Sequence, residues 1–169
     1  EHGLDDRVVV ARGQQRLQPL AQARGEPVRA GLDRRPPLVE GEPAEAGPAD
    51  WELFAWDALS QELTAIAELA REPGLWTVLG SAHRLTAHAR PHNSLYVISD
   101  RGQLVTRYDE RMLSNTKINY MYTPGAGTRT FTVGGLRFGL LLGMEVHFPE
   151  LFLEQERLDV DCVLFSTHN

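Results

Sequence analysis

Few residues of this chain have both the type and the setting to do chemistry. The stretch Gly139-Leu140-Leu141-Leu142-Gly143-Met144-Glu145-Val146-His147-Phe148-Pro149-Glu150 reads as an apolar strand entering a tight elbow, with Phe-Pro-Glu starting a helix. A helix N-terminus has unpaired N–H groups and the positive end of the peptide dipoles, so an anion is favoured there. Met144, Glu145, His147 and Phe148 stand at this elbow, with the Met144 N–H at the helix N-terminus and His147 more ordinarily a packing or capping residue. Cys162 is the only thiol. It lies in an apolar run, Val160-Asp161-Cys162-Val163-Leu164-Phe165, where a cysteine is normally a small buried hydrophobe and not a nucleophile. His83, His88 and His92 span a loop between strands without a helical i, i+4 pair, so they read as surface or loop-anchoring residues, and no metal is expected. Gly134-Gly135 is a turn and not a phosphate loop, because a strand follows it.

These residues need a scaffold, and from Trp51 onward the sequence supplies one. Leu53, Leu59, Leu63, Ile66, Leu69 and Ala70 recur at helical spacing, with Glu52, Gln61, Glu62 and Glu68 opposite them, and Pro73-Gly74 ends the helix. Leu75 to Ser81 is a short apolar run of buried-strand type. His92 to Ile98 and Gln103 to Tyr108 flank Asp100-Arg101-Gly102, a hairpin turn. Thr130 to Val133 and Leu136 to Leu142 form a second hairpin across Gly134-Gly135. A helix from Pro149 to about Leu158 and a strand over Val160 to Phe165 complete an α/β sandwich. Trp76, Phe131, Phe138 and Phe148 are assigned to the core or an interface.

Residues 1–50 differ in kind. They contain none of the chain's 6 Phe, 3 Trp and 4 Tyr, and no Ile, Met, Cys, Ser, Thr, Asn or Lys. Every residue type present there has codons that can begin with G or C, as when a GC-rich gene is read out of frame. A disordered leader would share the Pro, Gly and charge content, but such segments are usually rich in Ser, Lys and Thr. On either reading residues 1–50 are expected to lack packed structure before about Ala49, and residues 51–169 to form an incomplete domain. A net charge of −6 gives no basic face for nucleic acid or an anionic membrane. No apolar run approaches the roughly 20 residues of a membrane span. A lone cysteine is consistent with a reducing cytoplasm.

The part from about Trp56 to Asn169 resembles the first and middle portions of a carbon–nitrogen hydrolase of the nitrilase superfamily. The matching pieces stand in family order: the Ala58 to Arg71 helix, the Leu75 to Ser81 strand, and Asn93-Ser94-Leu95-Tyr96-Val97-Ile98 with its Gly102 turn. Arg107-Tyr108-Asp109-Glu110-Arg111-Met112-Leu113, then Tyr122-Thr123-Pro124-Gly125, and the elbow with Phe148-Pro149-Glu150 follow. The resemblance implies a partial αββα sandwich and a three-residue mechanism. A glutamate is general base, a cysteine attacks an amide or nitrile carbon, and a lysine stabilises the tetrahedral species. It also places Gly143 where the cysteine belongs and Glu110 where the lysine belongs. It implies a candidate pocket lined by Met144, Glu145, His147 and Phe148, with the Met144 N–H as an oxyanion donor. A second glutamate of the family falls near Lys117. The base glutamate would lie in a Pro-Glu within residues 1–50, where only Glu26-Pro27 and Glu42-Pro43 occur, in reverse order. Each firm loss needs one base change.

The expectation is thus a family member inactive as written, with no catalytic position intact and no cofactor. A small amide, nitrile or carboxylate is the expected ligand, if there is one. The alternatives are a non-catalytic partner, homo- or hetero-dimeric, of an active homologue, or the product of a decayed gene, whose open sheet edges would promote aggregation.

Overall fold

Strand pairing organises the described residues into two sheets with an apolar core between them. The computed structural model describes residues 8–12 and 50–167. The first sheet has the order β1-β2-β3-β4, from β1 (Val8–Arg12), β2 (Trp76–His83), β3 (His92–Ile98) and β4 (Leu104–Asp109). The second, β5-β6-β7, is built from β5 (Thr130–Val133), β6 (Leu136–Leu142) and β7 (Cys162–Ser166). Antiparallel β2, β3 and β4 follow one another in sequence, whereas β1 pairs in parallel with β2, Val8 opposite Trp76.

The alternation of side chains along each strand decides which residues meet. Val78, Leu95, Val97 and Tyr108 from the first sheet pack on Phe131, Val133, Leu140 and Leu142 from the second. Trp76, Phe131 and Phe138 stack in series, with centroids 5.9 and 5.3 Å apart, as core aromatics. Fully buried Leu141 and Gly139 fall on the other face of β6, where the Gln155 side chain presses on Gly139. This places α2 (Pro149–Arg157) against that outer face, with Leu151 and Gln155 buried. Pro149 occupies the first helical turn, where its missing N–H costs nothing.

The first helix, α1, spans Trp56–Arg71. Leu59, Leu63 and Ile66 are half-buried and Ala70 is buried, as the spacing predicts, while Leu53 and Leu69 point into solvent. Beyond it the chain turns at Gly74, where the Leu75 N–H donates to the Ala70 carbonyl. Both turn glycines of the second hairpin have positive φ, 57° at Gly134 and 82° at Gly135, as a two-residue turn matched to strand twist requires.

One expectation is corrected. Val8–Arg12 form a strand paired with β2, so a regular element does occur before Ala49. Three consecutive valines suit a β conformation, and the open edge of β2 supplies backbone partners whatever the side chains are. Residues 1–7 and 13–49, including Glu26 and Glu42, lie outside the described residues.

Candidate active site

The elbow is a direct continuation of the core. Leu140 and Leu142 are anchored between the sheets, and the chain then enters a short 3₁₀ turn, Gly143–His147, before α2. Gly143 has φ +60°, a left-handed conformation that costs an L-residue roughly 1–2 kcal/mol. The turn is pinned by Glu145, whose carboxylate is wholly buried. Its oxygens accept from the Tyr108 hydroxyl at 2.8 Å and from the N–H groups of Arg111 (2.7 Å), Met112 (3.2 Å) and Leu142 (2.7 Å). Glu145 thus ties the end of β6 to the segment following β4. Burial, then the Glu145 charge, pushes the Tyr108 hydroxyl far above its ordinary pKa, so it stays a donor.

That segment after β4 carries Glu110, the second wholly buried glutamate. Its N–H donates to the Asn93 carbonyl and its carbonyl accepts from the Gly125 N–H, both at 2.8 Å, which fixes its backbone. Its carboxylate accepts from the Asn93 amide and from Lys117 Nζ, at 2.9 Å to one oxygen and 2.8 Å to the other. Burial pushes the Glu110 carboxyl above the usual range, against the opposing pull of Lys117 and Asn93. Lys117 begins a π-helical turn, Lys117–Met121, which closes through the Tyr122 N–H to the Lys117 carbonyl at 2.8 Å. A single π turn of this kind often marks a functional place.

Gly143 lies against these two side chains. A Cβ built there overlaps Glu110 Oε1 and stands 2.9 Å from Lys117 Nζ. The structure therefore brings Gly143, Glu110 and Lys117 into contact, although they are spread over 34 residues of sequence. Arg111, next to Glu110, turns away and pairs with Glu154 at 2.6 Å. Of the other expected lining residues, Met144 and Phe148 are half-buried and His147 is exposed. Glu145 is occupied with its own hydrogen bonds.

The remaining candidates have structural partners. His83 Nδ1 is 2.7 Å from the Tyr96 hydroxyl, and burial lowers the His83 pKa. His92 Nδ1 is 2.9 Å from the Thr123 carbonyl, and exposed His88 pairs with Glu52 at 2.9 Å. Cys162 is exposed, contrary to the expectation of a buried thiol. It opens β7 at the rim of the sheet, two residues short of Leu164, which reaches the core. Sequence reasoning did not find the Glu110–Lys117 contact or the anchoring role of Glu145. A separation of seven residues through an irregular loop has no periodic signature. The one available signal for Glu145 was a carboxylate in the turn after an apolar strand.

Comparison with known proteins identifies the family and the fold. A family model described as carbon-nitrogen hydrolase matches residues 39–168. Among solved structures, the glutamine-dependent NAD+ synthetase from Acinetobacter baumannii in complex with adenosine diphosphate superposes with a TM-score of 0.59. It is 24% identical over 76% of this chain and 24% of its own. A cysteine-to-alanine mutant of the Nesterenkonia AN1 amidase, from the nitrilase superfamily, gives a TM-score of 0.60. It is 18% identical over 66% of this chain and 42% of its own. These likenesses show a shared fold. The chain spans about a quarter of the length of the first protein and less than half of the second.

Proposed function

The chain belongs to the carbon–nitrogen hydrolase family, and from that premise we propose that it is a member without hydrolytic activity of its own. Support comes from the elbow. Acyl transfer from an amide needs an attacking side chain, and Gly143 has none. In the Nesterenkonia amidase, by contrast, the acetamide moiety of fluoroacetamide is covalently added at an active site cysteine. The space a side chain would need at Gly143 is taken by the Glu110 carboxylate, which Asn93 and Lys117 hold in place. A small amide, nitrile or carboxylate arriving at the elbow would have to displace that carboxylate. Incubating purified protein with acetamide, butyramide and a simple nitrile should release no ammonia above buffer. Steady turnover with any of them would overturn the proposal.

A second reading, a non-catalytic partner of an active homologue, draws on the apolar side chains that α2 and the residue after it leave exposed, Phe152, Leu153 and Leu158. Gel filtration with such a homologue should then give a mixed species, and its absence would remove this reading.

A further inference from the structure

We infer that Lys117 supplies the positive charge at the elbow and that Glu110 is its fixed counter-charge, the two forming one matched unit around the position that Gly143 leaves without a side chain. The inference rests on the reading of the elbow as the site. A carboxylate with no exposure to water and, among the described residues, no backbone N–H donors, as at Glu110, needs a compensating cation, because an unpaired buried charge is strongly destabilising. Asn93 offers only a neutral amide, and the neighbouring Arg111 is committed to Glu154. Lys117 Nζ reaches both Glu110 oxygens, at 2.8 and 2.9 Å, from the partly open side of the site, where its own side chain is 26% exposed. Both charged groups then meet the Cβ position of residue 143, the ammonium at 2.9 Å and the carboxylate in overlap.

The signs at the two positions are opposite to those the resemblance implies, yet they remain complementary to each other. Reversing only one would set two like charges within 3 Å, while reversing both restores an attractive pair. The elbow therefore keeps one cation and one carboxylate, exchanged in place. Any group introduced at 143 would feel the field of Lys117 and Glu110 with opposite effects. A thiol there would have its thiolate favoured by the ammonium and disfavoured by the carboxylate.

The test uses the full chain with Cys162→Ser, which removes the exposed native thiol. Glu110→Lys and Lys117→Glu are made singly and together, and their melting temperatures compared. Each single change should lower Tm by on the order of 10 °C, and the double variant should regain most of that loss. A double variant no more stable than the worse single one, or a harmless Lys117→Glu, would overturn the inference. Gly143→Cys is then added and its alkylation by iodoacetamide followed against pH. Lys117→Met should raise the apparent thiol pKa by about one unit, slowing the reaction about tenfold below it, and Glu110→Gln should lower it. A profile indifferent to Lys117 would also overturn the inference. If the glycine replacement does not fold, the charge-reversal series still decides. Neither readout involves hydrolysis, so amide turnover by the unaltered protein would defeat the functional proposal and leave this inference standing.

Discussion

Glu145 and Glu110 are both wholly buried at the same elbow, and they are held by opposite means. Glu145 accepts from three backbone N–H groups and one tyrosine hydroxyl, so no counter-ion is needed among the groups it contacts. Glu110 depends on the side chains of Lys117 and Asn93. A carboxylate bound by backbone donors fixes the path of the chain. One bound by a cation is fixed only while that cation is present, and it can be altered without refolding the loop around it. The elbow thus joins a rigid anchor to an adjustable charge pair, and the pair lies nearest residue 143.

Three substitutions test that contrast, in descending order of expected effect. Glu145→Ala leaves the Arg111, Met112 and Leu142 N–H groups and the Tyr108 hydroxyl without their acceptor, and should cost about 3–5 kcal/mol in urea unfolding. A loss under about 1 kcal/mol would mean that Glu145 is no anchor. Lys117→Met strands Glu110 and should cost about 2–3 kcal/mol at pH 8, because the cation it removes is partly solvated.

The pH dependence of that variant has a definite sign. Glu110 already sits above its ordinary pKa in the folded protein, and losing Lys117 removes an influence that lowers it. The folded state then binds a proton more readily than the unfolded chain. Stability should therefore recover as pH falls from 8 through the raised folded value of Glu110. Unfolding midpoints that stay flat across that range would break the contrast.

The smallest effect concerns Gly143. Gly143→Ala should cost about 2 kcal/mol, from its positive φ and from the overlap of the new Cβ with the Glu110 carboxylate. Combined with Glu110→Ala, the total loss should fall short of the sum of the two by about 1 kcal/mol, since one variant vacates the space the other fills. Strict additivity would show that the two residues do not compete for it.

Much of the scaffold could be read in the sequence because local rules determine it. The two hairpins follow from their turns, α1 from its apolar spacing and α2 from Pro149. The elbow could be read because an apolar strand, a glycine and Phe-Pro-Glu occur together. What could not be read depends on non-local geometry. Parallel pairing of β1 with β2 needs an open strand edge that no pattern in Val8–Arg12 announces. The exposure of Cys162 depends on where β7 meets the rim of its sheet, which an apolar run does not reveal. Lys117 and Glu110 meet through an irregular turn, and the resemblance gave their positions one at a time without bringing them together.

The parallel pairing of β1 also bears on the order of folding. Val10 lies opposite Val78, more than sixty residues later, whereas β2, β3 and β4 join through short connections. The entropy lost on closing a loop rises with its length, and non-local strand pairing slows folding. The three-stranded meander can therefore form first and offer the edge of β2 as a template, with β1 docking afterwards. Amide protons of β1 should exchange with deuterium sooner than those of β3, which is paired on both sides.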